Sequence, residues 1–174
     1  MKRMLGLMAA MTMAVAACGA PNADQDAAGV LTESVGVTGH WTIDIVDPDG
    51  TIDRTIEFDN AFVGASTLGA VLAGDVQVAG WQVSVFGTPD LCASGNGGCF
   101  LDAMASWDST ANELVVTAAG PVDADGTIEE VNGLVIRNPG GNGAFSAHDL
   151  VAGGQTAAIA AGQTVQIEIR YAFG

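Results

Sequence analysis

The clearest periodicity lies near the end of the chain. From Thr164 to Phe173, the side chains Val165, Ile167, Ile169, Tyr171 and Phe173 alternate with Gln166, Glu168 and Arg170. Successive side chains on a strand point to opposite faces, so this run predicts a strand with one buried and one wet face. Near the other end, Trp41, Ile43 and Ile45 share a face, with Thr42 and Asp44 opposite. Asp47-Pro48-Asp49-Gly50 then supplies a turn, because proline presets φ and glycine accepts positive φ. Ile52, Arg54, Ile56 and Phe58 alternate with Asp53, Thr55 and Glu57 beyond it, which predicts a β-hairpin.

The middle of the chain is less regular. Phe62, Val63, Leu68, Val71 and Leu72 recur near helical spacing, with Ser66 as N-cap and Gly74 as stop, and predict one short helix over Thr67–Ala73. Strands are expected at Trp81–Gly87, Met104–Trp107, Glu113–Ala118, Ile128–Arg137 and Thr156–Ala160. Between them lie a Gly-rich loop from Gly87 to Phe100, an acidic turn at Asp123-Ala124-Asp125-Gly126 and a loop from Asn138 to Gly143. Seven to nine short strands with turn signals about every ten residues imply an all-β chain, an antiparallel β-sandwich with one short helix.

The front of the chain follows another pattern. Lys2 and Arg3 precede fourteen uncharged residues, Met4 to Ala17. That run is shorter than the roughly 20 apolar residues that span a bilayer and fits the h-region of a signal peptide. It ends in Val15-Ala16-Ala17-Cys18. An aliphatic residue, two small residues and a cysteine resemble the lipobox of bacterial lipoproteins. The resemblance implies cleavage before Cys18, acylation of Cys18 and attachment to the membrane through this N-terminal lipid. Gly19 is compatible with the outer membrane, since an Asp at that position favours inner-membrane retention in enterobacterial lipoproteins. The expected organisation is a signal peptide over 1–17, the lipidated Cys18 with a flexible linker over 18–39, and a β-sandwich domain over 40–174. Val35 to Val37, at the end of that linker, has the composition to add a first strand.

Charge removes some partners. All twenty acidic residues lie after Cys18, against Arg54, Arg137 and Arg170, which gives the processed chain a formal charge of −17. Such a surface repels phosphate backbones, so nucleic acid is not an expected partner. With Cys18 carrying lipid, Cys92 and Cys99 remain as a pair, and export to an oxidising compartment predicts a disulfide between them.

No catalytic constellation emerges, and no cofactor is implied. His40 and His148 stand outside any metal-binding spacing. Ser146 and His148 can share a strand face, while Asp149 cannot, so a local triad is geometrically poor; His148 is expected on a loop or edge facing solvent. Gly64-Ala65-Ser66-Thr67-Leu68-Gly69 has one residue too many for a nucleophile elbow. Paired-carboxylate hydrolysis stays open, with nothing to select a pair. The turns at 47–52 and 123–128 share the pattern D-x-D-G-T-I, which overlaps the middle of an EF-hand loop. Their carboxylates Asp47, Asp49, Asp123 and Asp125 are the chain's metal candidates. Aligned as EF-hands, however, both loops fail at the first position (Ile45, Pro121) and the twelfth (Ile56, Asn132), and hairpin turns account for the pattern without metal.

The order of hairpin, Asn60, Leu-rich helix, Trp81 strand and closing Ala161-Gly162-Gln163-Thr164-Val165 strand also resembles small β-sandwich proteins of bacteriophage virions and tails. That likeness implies a structural module. The sequence thus leads to an envelope-anchored, non-enzymatic binding or structural domain with an unidentified protein or envelope partner. A periplasmic hydrolase and a phage-virion-like module are the alternatives.

Overall fold

A computed structural model describes residues 36–61, 67, 70, 74–93, 97–138 and 141–173. They belong to a unit that spans Val35–Gly174. Nine strands account for most of it: β1 (Val37–Val46), β2 (Ile52–Ala61), β3 (Gln77–Thr88), β4 (Gly98–Asp108), β5 (Glu113–Pro121), β6 (Gly126–Asn138), β7 (Gly141–Asp149), β8 (Ala157–Ile159) and β9 (Thr164–Phe173). The short helix expected over 67–73 falls almost wholly outside the described residues. Among the described residues, no helix is long and apolar enough to cross a membrane.

The chain is all-β, and every pairing is antiparallel. The layers of the expected sandwich are parts of one curled sheet, in the order β2-β1-β9-β5-β4-β3-β6-β7, with β8 added beside β6. Curling lets one part face the other across a shared core. Phe145 on β7 meets Tyr171 on β9 edge to face, with ring centroids 4.9 Å apart. Trp41, Ile43, Ile45, Val83, Val131 and Ile169 are fully buried or nearly so. A single sheet that curls can bury its apolar alternation on one face, which is why the period-two pattern held for β1 and β9.

Two sides of the curl meet at β2 and β7 without a hydrogen-bonded ladder. Side chains bridge them instead. Asn60 Nδ2 donates to the Ala147 carbonyl at 3.1 Å, and Gln155 Nε2 donates to the Glu57 carbonyl at 3.1 Å. His148 stacks on Phe58, with centroids 3.9 Å apart, and hydrogen-bonds Gln155. His148 is therefore a half-buried packing residue at this seam. Its position on an edge strand is as expected, but it packs against Phe58 where a solvent-facing side chain was expected.

Two segments read as loops are strand in part. β3 continues to Thr88 and β4 begins at Gly98, inside the expected Gly87–Phe100 loop. Here glycine serves close approach. A Cβ on Gly87 would lie 2.2 Å from the Thr127 carbonyl oxygen, and one on Gly98 would lie 2.6 Å from the Phe86 ring. Likewise β7 starts at Gly141, within the expected Asn138–Gly143 loop. β7 hides its alternation because its register against β6 shifts between Gly133 and Leu134, so that both Phe145 and Ser146 are buried.

Strand direction defines two ends. Val37 and Phe173 pair at one end, together with the β4–β5 turn. The β1–β2, β3–β4, β5–β6 and β8–β9 connections gather at the other, the Asp47 end.

Candidate functional site

The cysteine pair and the four candidate carboxylates gather at the Asp47 end; His40 lies toward the Val37 end, and Cys18 lies outside the described residues. Cys92 and Cys99 form a disulfide with Cα atoms 5.2 Å apart. Cys99 pairs with Val85 across the β3–β4 ladder, so the bond closes a loop at the strand ends. Each of the four carboxylates has a structural partner. Asp49 accepts the Thr51 N–H at 2.9 Å, and that bond holds its exposed carboxyl below the usual range. Asp47 accepts from Gln163 Nε2 at 2.7 Å. Asp123 accepts the Ala93 N–H at 2.9 Å, and Asp125 accepts the Ala161 N–H at 2.8 Å.

These bonds give the repeated D-x-D-G-T-I pattern a physical meaning. The two turns grip the β8–β9 turn from both sides, one through Gln163 and one through Ala161. Gln163 also accepts the Ala160 N–H at 2.7 Å and is nearly buried. Backbone bonds complete the lattice: Val122 N–H to Gln163 O, Gly162 N–H to Val122 O, and Asp123 N–H to Leu91 O. Among the described residues, no group of three or more His, Cys, Asp or Glu is placed to hold a metal ion.

Ser146 and His148 do not form a reactive pair. Ser146 Oγ shares a 2.6 Å hydrogen bond with the Tyr171 hydroxyl inside the core. Burial raises the Tyr171 phenol far above its ordinary range, and the Ser146 bond offsets this only in part. Asp149 accepts the Ala152 N–H in the turn after β7.

Sequence reasoning missed the outer face of β1, β9, β5 and β4. The register lines up outward side chains in rows across these four adjacent strands. One row runs Thr42, Glu168, Thr117, Met104. The next runs Asp44, Gln166, Ala119, with Asp102 on β4 completing the hollow. On β5 the outward residues are short, so a trough forms between the taller side chains of β9 and those of β4. The hollow encloses about 660 Å³. Asp44 accepts from the Thr55 hydroxyl, and Met104 stands 77% exposed on its rim.

A second hollow of about 440 Å³ continues this face toward Val37. There His40 Nδ1 lies 2.7 Å from Asp59 Oδ1. Arg170 forms a hub, donating from Nε to Glu168 at 2.7 Å and from Nη1 to Glu113 at 3.2 Å, with Asp108 at 4.0 Å. The N–H groups of Ala111 and Thr110 hold Asp108 below the usual carboxylate range, with Arg170 adding to the effect. The signal that would have found this face is the pair Thr117 and Ala119 beside the outward acids. It becomes legible only once strand order is known.

No family model, curated protein or solved structure matches this chain.

Proposed function

We propose that this chain is a lipid-anchored protein of the bacterial cell envelope, at the outer membrane, whose β-domain binds a partner instead of catalysing a reaction. The observation that carries the reading is Cys18 placed directly after Val15-Ala16-Ala17, behind a basic and then apolar leader. Three further features support it. The sheet starts at Val37, and the sequence between Cys18 and that point is polar and rich in Ala and Gly, as a tether requires. The Cys92–Cys99 disulfide suits an oxidising compartment. The outer hollow is of the size that holds small ligands, within the roughly 300–1,000 Å³ common for such sites. Two or more acyl chains on Cys18 make attachment durable, whereas a single chain gives only about 10⁴ M⁻¹.

Fractionation tests the anchor. Cys18→Ser is expected to release the protein from membranes or stall it as an unprocessed precursor. If the variant still pellets with membranes and is cleaved at the same site, the lipoprotein reading is wrong.

A further inference from the structure

We propose that the last stretch of β4, Met104 to Asp108, is a docking edge for an extended peptide segment of a partner protein, one that alternates apolar with basic residues and joins the sheet as an added strand. The inference rests on reading the domain as a partner-binding module and is independent of the anchor.

The edge is free because the sheet splits. β3 and β4 pair only from Trp81 opposite Ala103 to Phe86 opposite Gly98. Beyond Trp81, β3 runs on along β6 to Gln77, while β4 runs on along β5 to Asp108. The register of β3 against β6 shifts between Val78 and Gly80, and a bulge of this kind bends its strand. Among the described residues, no strand pairs with Met104 to Asp108 on the side that β3 has left. In an antiparallel strand every second residue turns its N–H and C=O to the same side, so this stretch presents unpaired donors and acceptors there. It spans about 17 Å at the usual rise, the length of an ordinary strand.

The side chains on either side of the split define the partner. Gln77, Val78 and Ala79 on β3 and Met104 to Trp107 on β4 are exposed, so both faces of each stretch are open. Val78, Met104 and Trp107 are large apolar side chains that stand in solvent here, Trp107 at 53% exposure. Trp107 lies on the inner side, where its ring meets Phe173, and Ala105 shares that face. Met104 and Asp102 face outward. An added strand sets its apolar side chains beside Ala105 and Trp107 and its alternate ones on the outer face. Neither stretch contains Lys, Arg or His, Asp75 precedes β3, and the whole chain carries a net charge of −15, so basic residues complement that outer face. A second copy of this chain does not suit the edge. It is equally acidic, and β3 stands on the open side, where it bars the approach of another folded sheet. Peptides that add a strand in this way draw affinity from main-chain hydrogen bonds and specificity from alternate side chains.

Isothermal titration calorimetry on the full chain in detergent, with the synthetic peptide KVKVKVK as probe, tests this. Wild-type protein is expected to bind it at least tenfold more tightly than KKKKVVV, which has the same charge and composition without the alternation. Methylating the backbone nitrogens of the valines blocks one edge of the peptide strand, and methylating those of the lysines blocks the other. One of these two peptides is expected to lose at least tenfold in affinity. Met104→Lys and Trp107→Ala are each expected to weaken binding at least fivefold. Asp53→Asn, on β2, makes the same charge change as Met104→Lys away from the edge and is expected to stay within twofold of wild type. The methylated peptides are read on wild-type protein, so the test stays decisive if a substitution disturbs the sheet. Absence of KVKVKVK binding overturns the proposal. So does equal affinity for KKKKVVV, or no loss on either methylation, since both would trace binding to charge alone. Cys18→Ser protein is expected to keep its peptide affinity whatever its fractionation shows, so this site and the anchor stand or fall separately.

Discussion

At the Asp47 end, turns hold turns; at the Val37 end, side chains meet one another, their own turn or a neighbouring strand end. The first end is tied by carboxylates that accept backbone and amide N–H groups, by Gln163 and by a disulfide. The second relies on Trp107 against Phe173, with centroids 5.9 Å apart, and on the partly exposed Arg170 hub. Both ends contain acids, yet these acids do different things. A carboxylate accepting an N–H from another turn fixes that turn's position. A carboxylate beside an exposed guanidinium gains little, because water screens the pair.

This contrast can be broken by experiment. The largest effect is expected from Cys92→Ser/Cys99→Ser. Opening a loop of about eight residues should cost roughly 2.5 kcal/mol by chain-entropy arithmetic, read as a lowered unfolding midpoint. An unchanged midpoint would mean that the hydrogen-bond lattice alone secures this end. Next comes Gln163→Ala, which removes the bonds to Asp47 and Ala160 at a nearly buried position. A loss of about 1–2 kcal/mol is expected in denaturant titration, and faster amide exchange should be confined to the turns it ties. Exchange that rises equally at both ends would erase the distinction. The smallest effect belongs to Arg170→Ala, at under about 1 kcal/mol and shrinking further in high salt.

Acid sharpens this last comparison. Asp108 titrates below its ordinary range in the folded chain, so its contribution is present above about pH 4 and lost as pH falls through its folded value. Arg170→Ala should flatten this part of the stability profile only slightly, because the N–H groups of Ala111 and Thr110 outweigh the arginine.

How much was legible follows from what each strand has beside it. β9 spans Thr164–Phe173 as its alternation indicates, since it is central and its inward face is buried along most of its length. The β1–β2 hairpin was equally plain, because Pro48 and Gly50 mark its turn. β4 was read only as Met104–Trp107. Its residues Ala103, Ala105 and Ser106 are small, and much of both its faces is exposed, so no apolar stripe announces it. The glycines at 87 and 98 looked like loop residues, but they are strand positions where a neighbouring carbonyl or ring leaves no room. For the site, the pairing of Cys92 and Cys99 followed from compartment and count. The outer hollow did not, because it depends on β9 lying between β1 and β5, and pairing across more than a hundred residues leaves no local mark.

That same placement of β9 governs when the molecule can become itself. β1 and β2 pair with each other, and β3 through β7 pair among themselves, but the ladder order joins these two blocks only through β9. Until residues 164–173 have docked, the hairpin and the remaining strands share no ladder. Such long-range closure is slow and comes late. Residues 164–173 thus act as the clasp whose docking turns two separate ladders into one sheet.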